Sequence, residues 1–213
     1  MQQSVPTPVG DARITTHPAD APRGVLALGH GAGGGTEARD LLALAAALPP
    51  LGVTVALVEQ PWRVAGKRLG PAPKALDEAW RPVMAVLTAG GTPVVAGGRS
   101  AGARVACRTG AATGAVAVLA LAFPLHPPGR PEKSRLEELL GSGLPTLVVQ
   151  GTADTFGTPA EFPALPAGHT LVEVPHGSHG FAVPKRAPVG QEETLAGITG
   201  AVAAWLDGVL PAR

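Results

Sequence analysis

Val94-Val95-Ala96-Gly97-Gly98-Arg99-Ser100-Ala101-Gly102-Ala103-Arg104-Val105-Ala106-Cys107 decides how this chain is read. The stretch opens as a short apolar run, narrows to two glycines, presents a serine, and continues in small residues at helical spacing. A strand that turns sharply into a helix has this pattern. A tight turn leaves no room for side chains beside its tip, so glycines at 98 and 102 suit the geometry. Ser100 then stands at the tip, and the amide of Ala101, first in the helix, is one of the orphan donors of a helix N-terminus. A serine hydroxyl is a weak nucleophile until a base removes its proton, so the motif raises the question of where a base lies. Read alone, Gly-x-Ser-x-Gly also fits a plain strand–turn–helix with Ser100 as an N-cap.

Outward from this stretch, short Val- and Leu-rich runs alternate with longer helix-like segments. Strands are predicted at 24–28, 53–58, 94–97, 115–121, 146–150 and 170–174, and helices at 36–48, 74–88, 101–109, 133–140 and 192–210. The strands are almost wholly apolar rather than alternating, as expected when both faces are covered. The alternation predicts an α/β fold, with a mostly parallel central sheet flanked by helices on both faces. Residues 13–16 are read as an antiparallel edge strand, and residues 1–12 as a poorly ordered or extended N-terminus of a single domain. Leu195, Ile198, Val202, Trp205 and Leu206 form a stripe at helical spacing in the last helix, which is a core face.

Composition narrows the function. With 17 Lys and Arg against 16 Asp and Glu, the net charge is +1, so no global field draws nucleic acid or an anionic membrane. No apolar run reaches the length of a membrane span. The first residues do not read as a signal peptide, so a cytoplasmic location is the default expectation. One cysteine, Cys107, excludes an intrachain disulfide or cysteine-rich zinc site and reads as a buried inert thiol.

In parallel sheets, ligands collect beyond the carboxyl ends of the strands. Five strands lead there to Gly29-His30-Gly31-Ala32-Gly33-Gly34-Gly35, to Glu59-Gln60-Pro61-Trp62-Arg63, to Ser100, to Gly151-Thr152-Ala153-Asp154, and to Pro175-His176-Gly177-Ser178-His179-Gly180-Phe181. Asp154 sits in a loop past an apolar strand, where a carboxylate can orient an imidazole; an Asx turn is its other reading. His179 lies between glycines that let its ring reach Ser100. His176 and His126 share that edge and remain rivals for the base, whereas His17 and His169 fall at the wrong edge. Trp62 can wall a substrate pocket or pack on the sheet. Arg99, with Arg63, Lys67, Arg68 and Arg104, can hold an acidic substrate group or pair with nearby acids. Phe181 reads as a packing anchor.

Ser100 in its elbow, followed by Asp154 and then His179, resembles the α/β-hydrolase fold from Gly24 to Leu210. The chain is similar to small, lidless dienelactone-hydrolase-like proteins. It also looks like a little-characterised group of bacterial proteins with animal relatives, some of them in chromatin complexes. The resemblance implies a serine hydrolase acting on a small ester, thioester or lactone through an acyl-enzyme, with Ser100 as nucleophile, His179 as base and Asp154 as orienting acid. It makes Ala32 N–H a second oxyanion donor beside Ala101 N–H, with His30 bracing that loop. It implies no metal and no organic cofactor. The short chain implies abbreviated first strands, and residues 123–143 are too few for a full lid. A catalytically silent binding module on the same fold is the second expectation. Gly29-x-Gly31-x-x-Gly34 with Glu59 also matches a dinucleotide fingerprint, but that reading leaves Ser100, Asp154 and His179 unexplained.

Overall fold

The computed structural model describes residues 1–212. Eight strands form one sheet: β1 (Gln2–Thr7), β2 (Gly10–His17), β3 (Gly24–Gly29), β4 (Val53–Glu59), β5 (Val94–Arg99), β6 (Ala117–Leu121), β7 (Thr146–Gly151) and β8 (His169–Val174). Their order is β1-β2-β4-β3-β5-β6-β7-β8. From β4 to β8 every pairing is parallel, while β2 runs antiparallel to both β1 and β4. Six α-helices accompany the sheet: α1 (Arg39–Ala47), α2 (Pro61–Val64), α3 (Pro73–Thr88), α4 (Ala101–Thr109), α5 (Leu136–Leu140) and α6 (Gln191–Val209). This is the expected α/β architecture with helices on both faces.

The apolar strands prove to be sorted by side-chain size. Alternate residues point to opposite faces. On one face Ala27, Ala56, Ala96 and Ala120 pack with α3 and α4 through Trp80, Val83, Met84, Ala103 and Ala106. On the other face Leu26, Leu28, Leu57, Leu119, Leu121 and Leu147 meet Leu41 and Leu44 of α1 and Ile198, Val202 and Leu206 of α6. Small residues therefore cluster where α4 must come close, and leucines fill the opposite layer. Leu195 and Trp205 lie only partly buried beside that layer. Cys107 is buried in α4, and burial pushes its thiol up to about 12.

Two expectations about the N-terminus are corrected. Of the two forms expected for the N-terminus, residues 2–7 take the extended one, and β1 pairs with β2 over Gln2↔Thr15 to Thr7↔Gly10, so the first strands are not abbreviated as expected. Nor is the strand around residues 13–16 an edge, because β1 covers its outer side. The hairpin is held from one face only: Val5, Ala12 and Ile14 are buried against α3, and Arg13 between the last two points outward. The helix expected at 133–140 shrinks to α5 behind a 3-10 turn at Pro131–Lys133. This short connection leaves no lid-sized insertion between β6 and β7.

Candidate active site

Ser100 adopts φ 54° and ψ −111°, a backbone conformation that L-residues rarely take. Its amide donates to Leu121 O at 2.9 Å, which ties the elbow to β6. The glycines on either side are demanded by packing. A Cβ on Gly98 would lie 2.6 Å from Gly29 O and 2.7 Å from Gly102 C. One on Gly102 would run into the Gly29 backbone, with Gly29 C at 2.6 Å. The end of β3, the elbow and the first turn of α4 thus touch backbone to backbone.

The acid and the histidine arrive on the next two loops. After β7, Asp154 is buried, and its Oδ1 accepts from Phe156 N–H at 2.8 Å while its Oδ2 accepts from Gln150 Nε2 at 2.9 Å. After β8, the His179 loop is stapled to the Asp154 loop by Ala153 N–H donating to Gly177 O at 2.9 Å. Gly151 permits this contact, since a Cβ there would sit 2.7 Å from Gly177 C. His179 Nδ1 is 2.8 Å from Asp154 Oδ2, and its Nε2 is 2.9 Å from Ser100 Oγ. With Nδ1–H donating to the carboxylate, Nε2 is left to accept from the hydroxyl. Phe156 stacks on the imidazole with centroids 4.1 Å apart. Phe181, fully buried at φ 52°, anchors the loop behind it, and Gln191 Nε2 donates to its carbonyl at 2.8 Å.

The rival histidines are accounted for elsewhere. His126 contacts Glu161 at 2.8 Å, and His176 is exposed on the surface. Ser142 and His169 form a second serine–histidine pair at 3.5 Å, but they lie at the opposite edge of the sheet. Ser142 is buried, and His169 Nδ1 has no hydrogen-bond partner, so no acid orients that ring.

A cleft of about 430 Å³ opens over Ser100 and His179, bordered by the Gly31–Gly34 loop, Ala101, Pro124 and Phe156. Among the described residues neither Ala32 N–H nor Ala101 N–H donates a hydrogen bond. His30 braces the loop from beneath: its Nδ1–H donates to Gly31 O at 2.9 Å, and its Nε2 accepts from Gln60 N–H at 3.1 Å. Burial holds its pKa below the usual histidine value, consistent with this neutral tautomer.

Two proposed substrate-binding residues fare differently. Trp62 does not line the cleft. It is buried edge-on against His30, centroids 5.5 Å apart, and its other side borders a separate depression near Gly10 and Pro61. Four residues after β4 fold into α2, which turns the indole under the glycine loop instead of beside it. Arg99 does line the cleft, but it is also tied to the protein. Its Nη2 donates to His179 O at 2.9 Å, and its Nε lies 3.5 Å from the fully buried carboxylate of Asp40. Burial raises the Asp40 pKa and Arg99 opposes the rise. Gln150, Asp40 and Phe156 are supporting groups that the residue pattern did not single out.

A family model described as an alpha/beta hydrolase domain matches residues 22–207. The chain belongs to the α/β-hydrolase family. Solved α/β hydrolases share its fold over almost their whole length. A lidless serine hydrolase from Xanthomonas campestris is 23% identical with a TM-score of 0.76, covering 100% of this chain and 96% of its own. A dienelactone hydrolase from Anabaena variabilis is 17% identical with a TM-score of 0.73, covering 99% and 98%. A serine hydrolase homologue from Coxiella burnetii is 17% identical with a TM-score of 0.74, covering 97% of each chain. No curated protein matches the sequence. No helix among the described residues is long and apolar enough to cross a membrane.

Proposed function

We propose that this α/β hydrolase is a serine hydrolase that cleaves a small carboxylic ester, thioester or lactone through an acyl-enzyme. The observation that carries the reading is the unbroken hydrogen-bonded line Ser100–His179–Asp154, with both contacts of the imidazole under 3 Å. Ser100 Oγ attacks the carbonyl carbon as His179 Nε2 takes its proton. The oxygen that gains charge is held by the Ala101 and Ala32 amides, donors that need no reorganisation; one such donor is worth roughly 10²–10³ in rate. Asp154, itself fixed by Gln150 and Phe156 N–H, keeps the proton on Nδ1 and stabilises the imidazolium. The imidazolium then protonates the leaving alcohol, thiol or tethered alkoxide. Water, activated by the same Nε2, attacks the acyl-Ser100 carbonyl and releases the acid. The Xanthomonas and Anabaena neighbours, named as a serine hydrolase and a dienelactone hydrolase, support the reaction class.

A fluorophosphonate probe together with p-nitrophenyl esters of graded acyl length tests this. The wild-type protein should label at Ser100 and hydrolyse the short esters, and Ser100→Ala should lose labelling and about 10³-fold or more of kcat. Wild-type turnover retained in Ser100→Ala would remove Ser100 from the chemistry. Absence of both labelling and turnover in the wild-type protein would leave a silent binding module.

A further inference from the structure

The cleft over Ser100 is lined by three arginines, Arg99, Arg104 and Arg135, and by no Asp or Glu. Two of them have counter-ions inside the protein. Arg99 faces Asp40 at 3.5 Å. Arg104 grips Glu138 with two bonds of 2.8 and 2.6 Å. Glu138 is shared with Arg108 at 2.8 Å, and Arg108 is in turn forked onto Asp77 at 2.9 and 2.6 Å. Three cations thus meet three carboxylates, and this part of the network is neutral.

Arg135 is left over. Its only side-chain hydrogen bond donates Nη1–H to the carbonyl of Pro124 at 3.1 Å, and it forms no ion pair among the described residues. Its own amide donates to Leu125 O at 2.7 Å, which sets the residue against the wall of the cleft. Partial burial and the nearby Arg104 work against its charge, whereas Glu138, already gripped by Arg104 and Arg108, favours it in part, and a guanidinium stays protonated in proteins. A half-buried cation with no ion pair of its own, beside another cation and open to the substrate cleft, is complementary to an anion. The excess is one charge, which matches a carboxylate rather than a phosphate dianion.

We propose that Arg135 binds a carboxylate carried by the substrate, so the preferred ester is a monoanion: a half-ester of a dicarboxylic acid or an ester of a hydroxy acid. The proposal rests on the reading of Ser100 as nucleophile and names the substrate class of that same site.

The test uses the full chain and two matched pairs, with initial rates followed by base uptake. Methyl valerate and monomethyl glutarate place the charge on the acyl side; propyl acetate and 3-acetoxypropanoate place it on the alcohol side. In at least one pair the charged ester should have the higher kcat/KM. Arg135→Gln should lower that charged-to-neutral ratio about tenfold or more, the scale of one charge-assisted contact, with the loss carried by KM of the charged ester. Arg135→Lys should retain part of the ratio, and salt should erode it. Lys133→Gln, the same loss of charge two residues away on the surface, should not reproduce the Arg135→Gln effect. A wild-type ratio of one or less in both pairs, or a ratio that Arg135→Gln does not move, overturns the proposal. Because each variant's ratio is taken against its own neutral ester, a poorly folded sample cannot imitate the expected result. Hydrolysis of the neutral esters with no charge preference sinks this proposal alone; failure to hydrolyse any of the four, with no probe labelling at Ser100, sinks the serine-hydrolase reading as well.

Discussion

Gly102→Ala sets two physical rules against each other. Gly102 lies in the first turn of α4, and alanine is favoured over glycine inside a helix by about 1 kcal/mol. By propensity alone the variant should gain stability. Its new methyl group, however, would meet the backbone of Gly29, with the carbonyl carbon 2.6 Å away. Gly29 cannot yield easily, since it is in register with Val58 of β4 on one side and Gly98 of β5 on the other. Overpacking of a rigid core costs about 1–3 kcal/mol. Backbone on both sides of the clash argues for the upper end, so the net change should be a loss of about 2 kcal/mol. For a chain of this size that corresponds to a fall in Tm of roughly 4–8 °C. Gly200→Ala is the matched control, because Gly200 is exposed in α6 with open space around its Cα. It should gain up to about 1 kcal/mol. Calorimetric melting of both variants beside the wild type gives the answer. If Gly102→Ala melts at or above the wild type, as the control should, the close approach of β3 and α4 is not what the glycine serves. Any shift of Gly29 also carries the Gly31–Gly34 loop away from Ser100, so esterase activity should fall further than the fraction unfolded accounts for.

Two other perturbations read different parts of the site. Arg99→Ala removes the cation beside a fully buried carboxylate and the donor to His179 O. Loss of one partner of a buried pair costs about 3–5 kcal/mol, and the residual exposure of Arg99 favours the lower figure. Urea melts should show that penalty shrinking as pH falls, because Asp40 can then protonate. Adding Asp40→Asn should return stability without returning full kcat, since the His179 carbonyl remains unanchored. The pair between His126 and Glu161 carries a pH signature. The His126 pKa is raised by its hydrogen bonds to Pro127 O and to Glu161; the Glu161 pKa is lowered by the Thr158 N–H and by His126. The histidine's contribution is full below its unfolded value and fades as pH rises through its raised folded value. The carboxylate's contribution is lost as pH falls through its lowered folded value. A double-mutant cycle with His126→Ala and Glu161→Gln should therefore give a larger coupling at about pH 5.5 than at pH 8.5. Equal coupling at the two pH values would contradict the assignment.

The parallel part of the sheet was legible because strands covered on both faces need uninterrupted apolar residues, and these runs are uncommon elsewhere in the chain. The elbow was legible because close backbone approach leaves only glycine at 98 and 102. Ser100, Asp154 and His179 are brought together as the residue order suggested, since β5, β7 and β8 all end at one edge. Of the N-terminal hairpin, the second strand was legible in part, as the antiparallel strand expected at 13–16, and the first was not: β1 buries only Val5, contains Pro6 and is otherwise polar, so it lacks the alternation that marks a strand. Between the two readings of Trp62 the residue pattern could not choose, because a four-residue helix leaves almost no periodic signal, yet it decides which way the indole turns. Arg135 had no signal at all in the residue pattern. Its place on the cleft wall depends on the connection after β6, and its lack of an ion pair depends on which acids α3 and α5 give to Arg104 and Arg108.

The lone thiol has a practical consequence. Cys107 rides on the helix whose first amide faces Ser100, seven positions further along. It is 2% exposed and holds its proton far above neutral pH. An alkylating reagent reaches it only when that helix detaches from the sheet. Alkylation rates therefore clock this opening in the native protein without an engineered reporter, while a serine-directed label counts the molecules whose active centre is assembled. Used together on one sample, the two chemistries separate a damaged active centre from a loosened fold.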